Sequence, residues 1–120
     1  MAKILVIEDN QQNMYLCTFI LNRHRHDVIQ AFSGREGIES AGKTLPDLII
    51  LDIQLPEMDG YSVARELKQN PTTRGIPIVA VTSYAMAGDR ERVIAAGCNG
   101  YIEKPINPDT FMEEIAVHLP

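Results

Sequence analysis

Leu48-Ile49-Ile50-Leu51-Asp52-Ile53-Gln54-Leu55-Pro56-Glu57-Met58-Asp59-Gly60 is the stretch whose reading decides the fold. Its apolar start has no polar alternation and reads as a strand buried on both faces, as in a parallel sheet covered by helices. Pro56 and the Asp59-Gly60 pair then stop regular structure. Asp52 is thereby a carboxylate at the rim of a core, where a loop begins. Alone, such an Asp is ordinarily a solvated strand end. Its meaning depends on what the other strands place at the same height.

Outward from that stretch the same pattern repeats. Lys-Ile-Leu-Val-Ile-Glu over 3–8 reads as a buried strand, and Asn10 as the N-cap of a helix over 11–23. A shorter, more polar strand over 27–32 suits a sheet edge. Ser33 and Glu36 have capping-box spacing for a helix ending near Gly42. After the Asp52 loop, Asp59 caps a helix to about Gln69. A fourth strand spans 76–81 and ends at Thr82-Ser83, and a helix over 87–96 stops at Gly97. A fifth strand over 101–103 ends at Lys104-Pro105. Asn107-Pro108 caps a last helix to about His118. Strands alternating with helices predict a doubly wound, flavodoxin-like α/β domain: a five-stranded parallel sheet with five helices.

The chain has 120 residues, the size of one domain, and 45% hydrophobic with 22% charged residues is a globular composition. Net charge is −5 with no cluster of Lys or Arg, which argues against nucleic-acid binding and against an electrostatic membrane anchor. No apolar run approaches a membrane span, and, with a strand expected from Lys3, no signal peptide is expected. Cys17 and Cys98 lack metal or CxxC spacing and read as buried free thiols, so the expected location is cytoplasmic. The chain ends with the fifth helix, so no effector domain is expected.

In a parallel sheet all strands point their C-terminal ends to one edge, where ligands bind. Glu8 and Asp9, Asp52, Thr82 and Lys104 lie at those ends. Two carboxylates about 4 Å apart repel by roughly 4 kcal/mol at an effective dielectric near 20, so three together call for a cation. All-oxygen ligands suit Mg²⁺, whereas the spaced loop that Ca²⁺ prefers is missing. A cation, an ammonium and a hydroxyl around one Asp suit a transferring phosphoryl group with Asp52 as nucleophile. Lys104 has a plainer reading as a partner of the acids. A cis Lys104-Pro105 bond would turn the chain there, and the sequence leaves the isomer open. The first long helix has two apolar stripes. Leu16, Cys17, Ile20 and Leu21 suit a core, while Met14, Tyr15, Thr18 and Phe19 either also pack inside or form an exposed docking patch.

Together these residues resemble the receiver domain of bacterial two-component response regulators, with a CheY-like fold of strand order 2-1-3-4-5. The resemblance spans all 120 residues and rests on Glu8-Asp9, Asp52 with Leu55-Pro56 and Asp59-Gly60, Thr82, and Lys104-Pro105. The runs 52–56 and 79–82, with Ala85-Met86 and Gly88-Asp89, are similar to those of single-domain, DivK-type regulators. The resemblance implies a phosphorelay switch and not a conventional enzyme. Asp52 takes a phosphoryl group from a phosphohistidine on a sensor kinase or phosphotransfer protein. Asp9, Asp52 and the Gln54 carbonyl bind Mg²⁺, with Glu8 acting through water. Thr82 and Lys104 bind phosphoryl oxygens, and Tyr101 is the switch aromatic. It further implies an output face on the fourth helix, fifth strand and fifth helix, docking on Met14, Tyr15 and Phe19, and a monomer or phosphorylation-dependent dimer. Gln54 and Tyr84 occupy variable positions that tune dephosphorylation, and Leu55 stands where Met is common.

Three rivals remain. A haloacid-dehalogenase-type phosphatase resembles a pattern with a second Asp two residues after the nucleophile, and here that residue is Gln54. A flavin or dinucleotide module needs a Gly- or hydroxyl-rich first loop, and Glu8-Asp9 would repel its phosphate. The third is a receiver-like interaction module that is never phosphorylated, against which stands the presence here of all the site residues.

Overall fold

The middle strand forms as its sequence dictates: every residue of β3 (Leu48–Asp52) is buried. β1 (Lys3–Ile7) pairs with it on one side and carries β2 (Asp27–Ala31) at the edge. On the other side lie β4 (Ile78–Thr82) and then β5 (Gly100–Glu103). All pairings are parallel and the order is β2-β1-β3-β4-β5, as expected. This computed structural model describes residues 2–83 and 89–120, with Asp89 described by its backbone. Tyr84 and the expected start of the fourth helix at Ala87 lie outside the described residues.

Successive strand side chains point to opposite faces, and each face builds its own core. Leu5, Ile7, Ile49, Leu51 and Ala80 pack against Val63, Ala64 and Leu67 of α3 (Gly60–Gln69) and Val93 of α4 (Asp89–Ala95). Ala41 of α2 (Gly34–Thr44) joins this layer. On the opposite face Ile4, Val6, Leu48, Ile50, Val79, Val81 and Ile102 meet α1 (Gln11–Arg23) and α5 (Phe111–Ala116). Among the described residues no helix is long and apolar enough to cross a membrane. Cys17 and Cys98 are free and buried, and burial pushes their thiols up to about 12 and about 11.

Three helix starts are capped as read. Asn10, Ser33 and Asp59 accept hydrogen bonds from the N–H groups of Asn13, Glu36 and Ser62. Some boundaries move. β4 starts at Ile78, after Pro77, because Pro has no N–H for the ladder. α2 runs past Gly42 to Thr44 and ends on Leu45 in the left-handed region (φ 47°). α5 starts at Phe111: Asn107 takes the Asp109 N–H into a tight turn first, and Thr110 occupies the cap position.

One assignment on α1 is corrected. Met14 belongs to the core and not to an exposed patch: it is 1% accessible, as part of the stripe Met14, Cys17, Ile20 and Leu21. Residues three and seven positions beyond Met14, Cys17 and Leu21, return to its side of the helix with Ile20 at the edge of that stripe, whereas Tyr15 and Phe19 lie a step around it the other way. Those two are 70% and 47% accessible. Leu16, assigned to the core, is only partly buried.

Candidate functional site

Asp52 ends β3 and is itself buried. Its Oδ1 accepts the N–H of Gln54 at 3.0 Å in a local turn. Gly60, at the start of α3, closes the loop by donating to the Ile53 carbonyl at 2.9 Å. The approach is so tight that a Cβ on Gly60 would lie 2.5 Å from Ile53 Cα and 2.7 Å from the Asp52 carbonyl oxygen. The glycine after Asp59 is thus required by the path of the chain beyond Asp52.

Glu8, just past β1, is also buried, while Asp9 beside it is exposed. One carboxylate oxygen from each of Glu8, Asp9 and Asp52 falls within 4.8 Å of the others. Lys104, beyond β5, reaches in: its Nζ is 2.9 Å from Glu8 Oε1 and 3.5 Å from Asp52 Oδ1. The Lys104-Pro105 bond is cis. Burial pushes the Glu8 carboxyl up to about 7; the hydrogen bond from Lys104 opposes this and the Asp52 charge adds to it. Burial works to lower the Lys104 ammonium, but the bond to Glu8 and the Asp52 charge outweigh it and hold its pKa above the ordinary value.

This donor set fits a hard divalent cation. It is all oxygen and mainly carboxylate, with one acid exposed and two buried, and its spread leaves space for water in the shell. Two of the acids are balanced at present by a single ammonium, so the cluster retains excess negative charge.

Thr82 ends β4 as expected and is buried. The contact that the sequence did not reveal is its partner. The Gln54 side-chain amide crosses from the β3 loop, donates through Nε2 to Thr82 Oγ1, and accepts the Ser83 N–H at 3.1 Å and the Ser83 hydroxyl at 3.2 Å. Gln54 was singled out for its backbone carbonyl and as a position that tunes dephosphorylation, not for a bond to Thr82, and Ser83 only marked a strand end. Tyr101, on β5 opposite Ala80, is partly buried against the core face of α3 and α4.

Away from the acids, a groove of about 450 Å³ runs along α1. Tyr15, Phe19 and Arg23 form its wall, Gln30 and Phe32 its far side, and buried Met14 its floor. Tyr15 and Phe19 stack with ring centroids 6.1 Å apart, and the Arg23 guanidinium lies 5.8 Å from the Phe19 ring centre.

Residues 4–116 match the family described as the response regulator receiver domain. The polar-differentiation response regulator DivK of Brucella ovis is 41% identical over 116 residues, covering 97% of this chain and 94% of that protein. Among solved structures, the chemotaxis protein CheY4 of Vibrio cholerae is similar with a TM-score of 0.94 at 27% identity, over 99% of both chains. The receiver domain of the Pseudomonas aeruginosa sensor histidine kinase PA1611, solved with a magnesium ion coordinated in its active-site cleft, has a TM-score of 0.84 at 33% identity. It covers 96% of this chain and 98% of that one. With the fold, the acidic cluster and the Lys104 contact all in place, the chain belongs to the response regulator receiver domain family of two-component signalling.

Proposed function

We propose that the whole chain acts as a phospho-accepting switch in which Asp52 takes a phosphoryl group from a phosphohistidine. The observation that carries this reading is the convergence of Glu8, Asp9 and Asp52 with Lys104 on one buried carboxylate. Attack by an Asp52 oxygen on phosphorus forms the acyl phosphate as the P–N bond breaks, and the imidazole nitrogen keeps that electron pair and takes up a proton. Asp9, Asp52 and the Gln54 carbonyl would hold Mg²⁺, with Glu8 acting through water. Bound there, the ion would neutralise charge on the transferring phosphoryl oxygens. Lys104 already lies 3.5 Å from Asp52 and supplies a second positive charge to the same oxygens.

Thr82 and Lys104 then bind the product phosphoryl group. A ligand shifts a two-state protein only through better contacts in one state. Here those contacts are made by Thr82 at the end of β4, and Tyr101 on the neighbouring strand carries the change to the face of α4, β5 and α5. Phosphohistidine partners dock over Tyr15 and Phe19, where exposed aromatics flank the groove on α1. The protein acts in solution beside its kinase, as a monomer or as a phosphorylation-dependent dimer.

The test uses a phosphohistidine donor domain carrying labelled phosphate. Label passes to the wild type in the presence of Mg²⁺ and not to Asp52→Asn. Equal labelling of that variant would overturn the assignment.

A further inference from the structure

The Gln54 side chain does more than line the site. It spans from the loop after β3 to the end of β4, and three of its amide hydrogen-bonding positions are engaged there. Ser83 is exposed, so water would satisfy its N–H and hydroxyl equally well. Those bonds therefore fix Ser83 at the end of β4 and do not rescue buried polar atoms. Meanwhile the Gln54 backbone N–H holds Asp52 Oδ1 at 3.0 Å, so one residue ties the acceptor carboxylate to the loop that must respond to it.

We infer that the Gln54 side chain is an autoinhibitory latch: it holds Thr82 and Ser83 in the resting arrangement and must release them before they turn toward a phosphoryl group on Asp52. The Oε1 atom is a neutral oxygen that already takes the Ser83 N–H. A phosphoryl oxygen arriving at Asp52 competes for that donor and draws on Thr82, whose hydroxyl is held by Nε2. The latch sets how much of the binding energy of the anion goes into moving Thr82 and Ser83. This inference rests on the phospho-acceptor reading of Asp52 and deepens it.

Beryllium fluoride with saturating Mg²⁺ serves as the probe, because it imitates an aspartyl phosphate and does not hydrolyse. Its half-saturation concentration is read from the backbone amide signals of Thr82 and Ser83 by NMR. It is compared for the wild type, Gln54→Ala and Gln54→Leu, the last of which keeps the bulk and loses the hydrogen bonds. Loss of these hydrogen bonds, partly replaced by water, predicts half-saturation about tenfold lower in both variants. If the wild type binds and either variant needs as much probe or more, the latch is overturned while Asp52 stands as acceptor. If the wild type itself takes no beryllium fluoride, the phospho-acceptor reading fails and the latch with it.

Discussion

Glu8 is the residue at which charge and burial conflict most openly. Its carboxyl, ordinarily near 4.5, is pushed up to about 7 because burial outweighs the Lys104 contact. Between those values the folded chain holds more protons than the unfolded one, so the Glu8 contribution to stability is present at acid pH and is lost as pH rises toward 7. In metal-free buffer the melting temperature should therefore fall more steeply from pH 5 to 8 in the wild type than in Glu8→Gln. Added Mg²⁺ should restore the wild type above pH 7, since it binds the ionised folded site. Thermal unfolding across that range checks both, and parallel curves would contradict them. Lys104→Ala should still accept the phosphoryl group but lose its consequence. With beryllium fluoride bound, the amide signals of Thr82 and Tyr101 should stay near their resting positions, and a full wild-type shift would count against the role given to Lys104. At this scale the sequence exposed Glu8, Asp9, Asp52, Thr82 and Lys104, because strand ends in a parallel sheet share an edge. It hid the Gln54 amide on Thr82 and Ser83, since a contact between side chains 28 residues apart leaves no local pattern.

Among the elements, the loop from β3 to α3 is the most tightly determined. A Cβ on Gly60 meets the backbone of Ile53 and Asp52, so nothing flexible gives way. Gly60→Ala should cost about 1–3 kcal/mol in urea unfolding, as overpacking does. It should also weaken Mg²⁺ binding, because the displaced backbone carries Asp52 and Gln54. Unchanged Mg²⁺ affinity would separate the loop from the site. Strand and helix types were legible throughout from apolar runs and caps. Boundaries shifted where competing turns took over, as at Asn107, where an Asn side-chain turn precedes the α-helix. Met14 was misplaced because a stripe drawn by residue type put an apolar side chain next to Tyr15. Helical angle places it with Cys17 and Leu21, and both of those are buried.

Over the whole molecule, the proposed chemistry and the proposed docking surface sit on separate structures: acids at the sheet edge, aromatics along α1. The division predicts a separable defect. Phe19→Ala should take phosphate from acetyl phosphate at the wild-type rate, yet accept it about tenfold more slowly from a phosphohistidine donor domain, a loss near 1.4 kcal/mol in the encounter. Side-by-side phosphorylation time courses check this, and equal slowing with both donors would place Phe19 in the chemistry instead. The parallel sheet and two-sided core followed from five apolar strand signals and the handedness of their crossovers, while the strand order came only with the family resemblance. Which surface meets a partner depends on what the molecule encounters, and only the exposed aromatics hinted at it. The central claim, that Asp52 is a Mg²⁺-dependent phosphoryl acceptor, is tested most directly by the intact mass of the protein after incubation with acetyl phosphate, with and without Mg²⁺. The account predicts a single added phosphoryl group, removed by hydroxylamine and lacking both without Mg²⁺ and in Asp52→Asn. An adduct of the same size in Asp52→Asn, or a wild type that neither gains mass nor releases inorganic phosphate while Mg²⁺ is bound, would contradict it.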